Sequence, residues 1–243
     1  MSTIVSQTTA ESAEPSGAIM MDDAPELALE QIVYPESDGK PMAENTIQYK
    51  WLTRIKGGLE ARFKDNPKVF IAGDLFWYPV KGQSQIHNAP DVLVAIGRPK
   101  GDRGSYKQWE EDGIAPQVIF EIWSPGNTKE EKDEKFAFYD YFGVEEYYTY
   151  DAEKGKMAGW MRRGEGLEPI AEMREWESPR LGVRFRWAEG DWNLYHPNGE
   201  PFQDYEDLYT ERDAERAAKE AERAAKEAAW AKLRELGIDP EKL

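Results

Sequence analysis

The sequence predicts an α/β (α+β) fold built on one central mixed sheet, and three observations carry this. A run from about Met42 to Phe63 places Ile47, Trp51, Ile55 and Leu59 at four-residue spacing, the mark of a helix with one buried stripe. Runs rich in β-branched and aromatic residues at 69–80, 90–97 and 117–123 read as strands. A second helical run at 128–142 and further strand-like runs at 144–151 and 182–187 follow them, an interleaving that builds a sheet with helices packed on it.

Taken in order, residues 1–33 are polar, acidic and aperiodic, and read as a disordered tail. YPESDGKP (34–41) is turn-rich, and Lys50, Arg54 and Lys64 lie largely off the apolar stripe of the first helix. VFIAGDLFWYPV and PDVLVAIG, joined by a loop containing His87, read as paired strands, and 97–113 reads as an exposed loop. Within QVIFEIW, Val118, Phe120 and Ile122 face one way, while Gln117, Ile119, Glu121 and Trp123 face the other. Thr128 with Glu131 makes a capping box for the helix to about Phe142. GVRFRW alternates, with Val183, Phe185 and Trp187 on one face. A central domain is thus expected over 34–203, with a C-terminal segment, 204–243, that differs in kind. There AERAAKE occurs twice in tandem within a helix from about Thr210 to Leu236. The heptad permits a coiled coil and a homo-dimer, although its alanine seam buries little area; a solvated single helix is the alternative.

Composition narrows the chemistry. The chain has 243 residues and no cysteine, which removes disulfides, thiolate metal sites and cysteine nucleophiles. With two histidines, His87 and His196, a His-rich zinc site is not expected, so a metal would be a hard cation such as Mg²⁺ or Mn²⁺ on oxygen ligands. The first residues lack a signal-peptide pattern and no stretch suits a membrane span, so a cytoplasmic location is expected. The net charge of −16 opposes a general nucleic-acid coat. The charge is unevenly spread, however: 49–108 carries eleven bases and five acids, whereas the flanking stretches are acidic. Solvated lysines on a helix face would explain the block equally well.

Glu121 is the most informative residue. It sits mid-strand among apolar neighbours, where an unpaired carboxylate is costly to bury. A divalent cation shared with Asp91, or a salt bridge to a lysine, would offset that cost. Pro90-Asp91 marks a strand entry, because proline cannot donate to a ladder. Lys135 shares a helical face with Tyr139 and Phe142, so its stem can pack while its ammonium reaches toward the acids; Lys132 lies one turn earlier on nearly the same face.

Pro90-Asp91 and Glu121, thirty residues on, resemble the PD-(D/E)XK nuclease signature. The position two after Glu121, where that signature has lysine, holds Trp123. The runs PDVLVAIG, APQVIFEIWSPGNT and EKFAFYDYFGVEEYYTYD are similar to the bacterial, often cyanobacterial, Uma family of restriction-endonuclease-like proteins, over roughly Tyr34 to Phe202. The resemblance implies a restriction-endonuclease-like fold and a metal-dependent endonuclease acting on DNA. It implies that Asp91 and Glu121, with the Ile122 carbonyl, hold one or two Mg²⁺ ions, and that Lys135 replaces the missing strand lysine. Glu44 stands where related nucleases supply a further acid, although a glutamate near a helix start has an ordinary reading too. Asp74 would be a third inner acid or merely the end of its strand. Arg98, Lys100, Arg103 and Lys107 would hold phosphates. His87 reads as a surface-loop histidine, and Trp77, Trp109 and Trp187 as core. A non-catalytic nucleic-acid- or protein-binding module keeping this fold is the alternative.

Overall fold

The computed structural model describes residues 32–37, 39, 45–188 and 190–236. The tail expected over 1–33 therefore falls almost entirely outside the described residues, and so does Glu44.

The chain runs α1 (Thr46–Arg62), β1 (Val69–Gly73), β2 (Trp77–Tyr78), β3 (Val92–Ile96), β4 (Tyr106–Lys107), a short 3₁₀ turn, then β5 (Val118–Trp123) and α2 (Lys129–Tyr141). There follow β6 (Glu146–Asp151), β7 (Lys156–Arg163), β8 (Gly166–Pro169), β9 (Trp176–Glu177), β10 (Arg184–Ala188), β11 (Asp191–Tyr195) and α3 (Tyr205–Glu235). Six strands form the central sheet in the order β1-β3-β5-β6-β7-β8. Only the β5–β6 pair is parallel, its crossover being α2, so the sheet is mixed as expected. A three-stranded sheet, β11-β10-β9, and a parallel β2–β4 pair complete the described strands.

Alternation along the strands divides the core in two. Val92, Val94, Val118, Phe120 and Ile122 pack with α1 residues Trp51, Leu52, Ile55 and Leu59 and with Phe185. Leu93, Ala95, Ile119 and Trp123 join Trp77, Tyr147 and the α2 residue Tyr139 on the opposite face. The alternation expected for β5 is thus observed, and it puts Glu121 on the α2 face.

Four expectations need correction. The stretch 97–113 is not an exposed loop: it contains β4 and the 3₁₀ turn, and it buries Ser105, Tyr106 and Glu111. Ile47 is 53% exposed, and α1 instead buries Gln48, Trp51, Leu52, Ile55, Gly58 and Leu59. Four-residue steps drift around a helix of 3.6 residues per turn, so a stripe that begins at Ile47 starts on the wrong side. Gly58 belongs to the true face, because a Cβ there would lie 2.2 Å from the Phe202 ring. The run 69–80 is two strands, broken at Asp74, whose φ of 50° turns the chain out of the sheet in a conformation aspartate tolerates. The C-terminal helix starts five residues earlier than expected, at Tyr205, because Asp204 and Asp207 form a capping box. None of its described residues is buried.

Candidate active site

The site forms where β3 and β5 lie side by side. Val92 pairs with Phe120, so the ladder extended by one position sets Asp91 beside Glu121, both on the α2 face. The Ile122 N–H donates to Asp91 Oδ2 at 2.6 Å and pins the aspartate to the neighbouring strand. Asp91 is 9% exposed and Glu121 1% exposed. Burial first, and then the Glu121 charge, push the Asp91 carboxyl up to about 8, against the Lys135 ammonium and the Ile122 N–H, which lower it.

Lys135 reaches in from α2. Its Nζ lies 2.9 Å from Glu121 Oε1 and 2.8 Å from Oε2, with the Ala89 carbonyl at 3.4 Å. Burial would lower the Lys135 pKa, but the Glu121 and Asp91 charges outweigh it and raise the value, keeping the ammonium charged. Tyr139, one helical turn on, donates its phenol to Glu121 Oε1 at 2.5 Å. Burial and the Glu121 charge raise the Tyr139 hydroxyl well above its ordinary range, so it acts as a neutral donor. Tyr147 lies on the same face, and its buried hydroxyl has no hydrogen-bond partner among the described residues.

Trp123 stands where the strand lysine would have been, and its ring faces two ammonium groups, Lys132 Nζ at 5.3 Å and Lys135 Nζ at 5.8 Å. The indole thus packs beside the lysine that comes from the helix. Gln48 closes the site from α1: its Nε2 donates to the Ile122 carbonyl at 3.0 Å. Sequence reasoning missed this residue. The available signal was a polar side chain on the stripe 48, 52, 55, 59, which a helix does not bury without a partner.

Asp74 borders this cluster, and the remaining candidates lie away from it. Asp74 is exposed at the end of β1; its backbone N–H donates to the Pro90 and Asp91 carbonyls, and its charge raises the pKa of both Asp91 and Lys135. The cations of the 98–107 loop already have partners. Arg98 and Arg103 converge on the buried Glu111, Lys100 donates to the Phe63 and Lys64 carbonyls, and Lys107 lies 3.6 Å from Glu110. His87 hydrogen bonds through Nδ1 with the Ser84 carbonyl and packs against Phe76 and Tyr78, a structural loop histidine. Trp77 is fully buried, while Trp109 and Trp187 are half-buried packing residues.

Two buried carboxylates therefore share one ammonium. All their ligating atoms are oxygens, which suits a hard divalent cation, and such a cation would favour the ionised Asp91 that burial and the Glu121 charge oppose. The residues that fit are Asp91 and Glu121. The Ile122 carbonyl adjoins them, and its bond to Gln48 leaves its second lone pair for another partner. Among the described residues, no group of three or more His, Cys, Asp or Glu is placed to hold a metal.

A family model described as "Uma2: Putative restriction endonuclease" matches residues 25–187, more than half of the chain. The chain belongs to the Uma2 family. Asp91, Glu121 and Lys135 all fall inside the part that matches Uma2, and α3 falls outside it. No curated relative matches this Uma2 chain. Among solved structures it is similar to one titled as a "putative nuclease belonging to DUF820 from Anabaena variabilis ATCC 29413". The identity there is 15%, over 60% of this chain and 82% of that one, with a TM-score of 0.44.

Proposed function

We propose that this Uma2 protein is a metal-dependent endonuclease that hydrolyses phosphodiester bonds of DNA. One observation carries the proposal: Lys135 from α2 meets Glu121 of β5 through both carboxylate oxygens, in the cluster that also contains Asp91. It supplies from a helix the ammonium that β5 lacks at Trp123.

In this reading Asp91 and Glu121, with the Ile122 carbonyl, hold Mg²⁺ or Mn²⁺. When bound, the ion supplies charge neutralisation at the phosphate and a lowered pKa for the attacking water. The protein's own groups do the rest. Lys135 stands as a fixed cation toward the charge that grows on the phosphoryl oxygens. Tyr139 fixes the rotamer of Glu121, and Gln48 holds the Ile122 carbonyl in place. Water oxygen bonds to phosphorus and gives up a proton to solvent, the bridging P–O bond breaks, and the departing oxygen takes up a proton from solvent. α3 has no part in the chemistry; its exposed length is where a second copy would pack, and a single-chain molar mass of 27.9 kDa at every concentration in light scattering removes dimerisation from the proposal.

The test is incubation with plasmid and Mg²⁺ or Mn²⁺, beside Asp91→Ala, Glu121→Ala and Lys135→Ala, each checked for a cooperative melt. Nicking or linearisation by the parent chain and its loss in all three variants is the expected result. Among the described residues no group of three or more His, Cys, Asp or Glu is placed to hold a metal, which favours one other reading, a binding module that keeps the fold. DNA retention without metal and without cleavage would establish that reading instead.

A further inference from the structure

Resting on the nuclease reading, the geometry points to a second role on α2: Lys132 binds a non-scissile phosphate of the nucleic-acid strand whose cleavage Lys135 assists. Many other cations of the chain are already engaged. Lys135 is held by Glu121, Lys50 and Arg54 by Asp204, Arg98 and Arg103 by Glu111, Lys129 by Asp133 and Lys154 by Asp151. Lys132 differs, because among the described residues no carboxylate lies within ion-pair distance of it. Its Nζ instead sits 5.3 Å from the Trp123 ring that also faces Lys135. Its field is felt at Asp151, which faces Trp123 in the β5–β6 ladder and is already bound by Lys154. It is not among the charges that chiefly set Asp91, so it stands outside the acid pair.

The two lysines are three residues apart on one helix face, a rise of about 4.5 Å. That backbone rise is on the order of the roughly 3.4 Å of duplex axis per phosphate of one strand, so the two side chains can address phosphates of the same strand. The indole behind both ammonium groups is 7% exposed and offers neither of them an acceptor oxygen. A half-buried ammonium over an aromatic face keeps its hydrogen-bond donors for an incoming anion, and a phosphodiester oxygen is the anion this reading brings there.

The test compares Lys132→Gln and Lys132→Arg in the full chain. Retention of a short DNA duplex is measured against salt in an Asp91→Asn background that cannot turn over, and steady-state cleavage is measured in the parent background. Lys132→Gln should lower the slope of log K against log salt by about 0.9 for duplex, and raise KM while leaving kcat unchanged. Lys132→Arg should restore both, since guanidinium also binds phosphate. An unchanged salt slope, or a loss confined to kcat, overturns the phosphate assignment and leaves the nuclease reading standing. A parent chain that neither retains nor cuts DNA overturns both.

Discussion

Glu121 and Glu146 invite comparison, because β5 and β6 are parallel neighbours and each buries one glutamate to 1% exposure. Glu146 lies at the start of its strand and faces the α1 side of the sheet. It accepts from the Ser178 hydroxyl, from the Tyr148 hydroxyl at 3.0 Å and from the Arg180 N–H at 2.8 Å. These donors tie the 178–181 turn to the sheet, and none of them is a formal charge. Glu121 faces the other way, takes an ammonium and a phenol, and has a second acid beside it. Burial alone therefore does not mark a reactive carboxylate. What separates the two is the company of like charge, which a fold without use for it would discard at little cost.

The largest expected effect breaks this comparison directly. Glu121→Gln should lower cleavage on the order of 10³-fold, the scale of losing a group that stabilises charge in the transition state. Glu146→Gln should leave cleavage unchanged. Equal losses in the two variants, measured as initial rates on supercoiled plasmid, would mean that both act through stability alone.

Next in size is the removal of Lys135. Breaking a fully buried ion pair costs about 3–5 kcal/mol, but the Lys135 side chain is 26% exposed, so a loss of about 2 kcal/mol is expected in Lys135→Ala. That corresponds to a fall in Tm of roughly 4–8 °C. The exposed pair Lys129–Asp133, in the first turns of the same helix, serves as the internal standard, and Lys129→Ala should move Tm by less than about 2 °C.

Tyr139→Phe sharpens the contrast further. It keeps the ring in the aromatic cluster with Trp77 and Tyr147 and deletes only the bond to Glu121 Oε1. A hydrogen bond to a charged group is worth about 1.5–3 kcal/mol, and the lower figure is expected because Lys135 still contacts that oxygen. Unchanged stability together with unchanged cleavage would show that the phenol does not position the acid.

Much of this arrangement was legible in the sequence, for physical reasons. A glutamate inside a strongly apolar strand signals a partner, and the alternation of QVIFEIW assigned its face correctly. The spacing of Lys135 and Tyr139 put both on the side of α2 that meets it. The capping box at Thr128 was readable because both of its partners are local. What escaped notice depended on pairings distant in sequence. Gln48 matters through a carbonyl 74 residues away. The cations of the 98–107 loop looked available to phosphates because the acid that holds two of them, Glu111, lies outside that run and becomes buried only when the loop closes on it. Ile47 was misplaced because a period of four only approximates 3.6.

The smallest expected effect tests whether Glu146 is structural by asking what its proton does. Burial raises the Glu146 carboxyl above its ordinary range, against the donors Ser178, Arg180 N–H and Tyr148, which lower it. The folded chain therefore holds this proton more tightly than the unfolded chain does. Between the ordinary glutamate value, about 4.3, and the raised one, unfolding releases a proton, so rising pH removes stability across that window and neither side of it contributes a slope. Glu146→Gln abolishes this slope while retaining an acceptor for Ser178 and Arg180. The melting-temperature gap, variant minus parent, should widen as pH rises through the window and then level off. A gap that stays flat across it would mean that the carboxylate is as well satisfied inside the fold as in water, and burial of Glu146 would then carry no electrostatic cost.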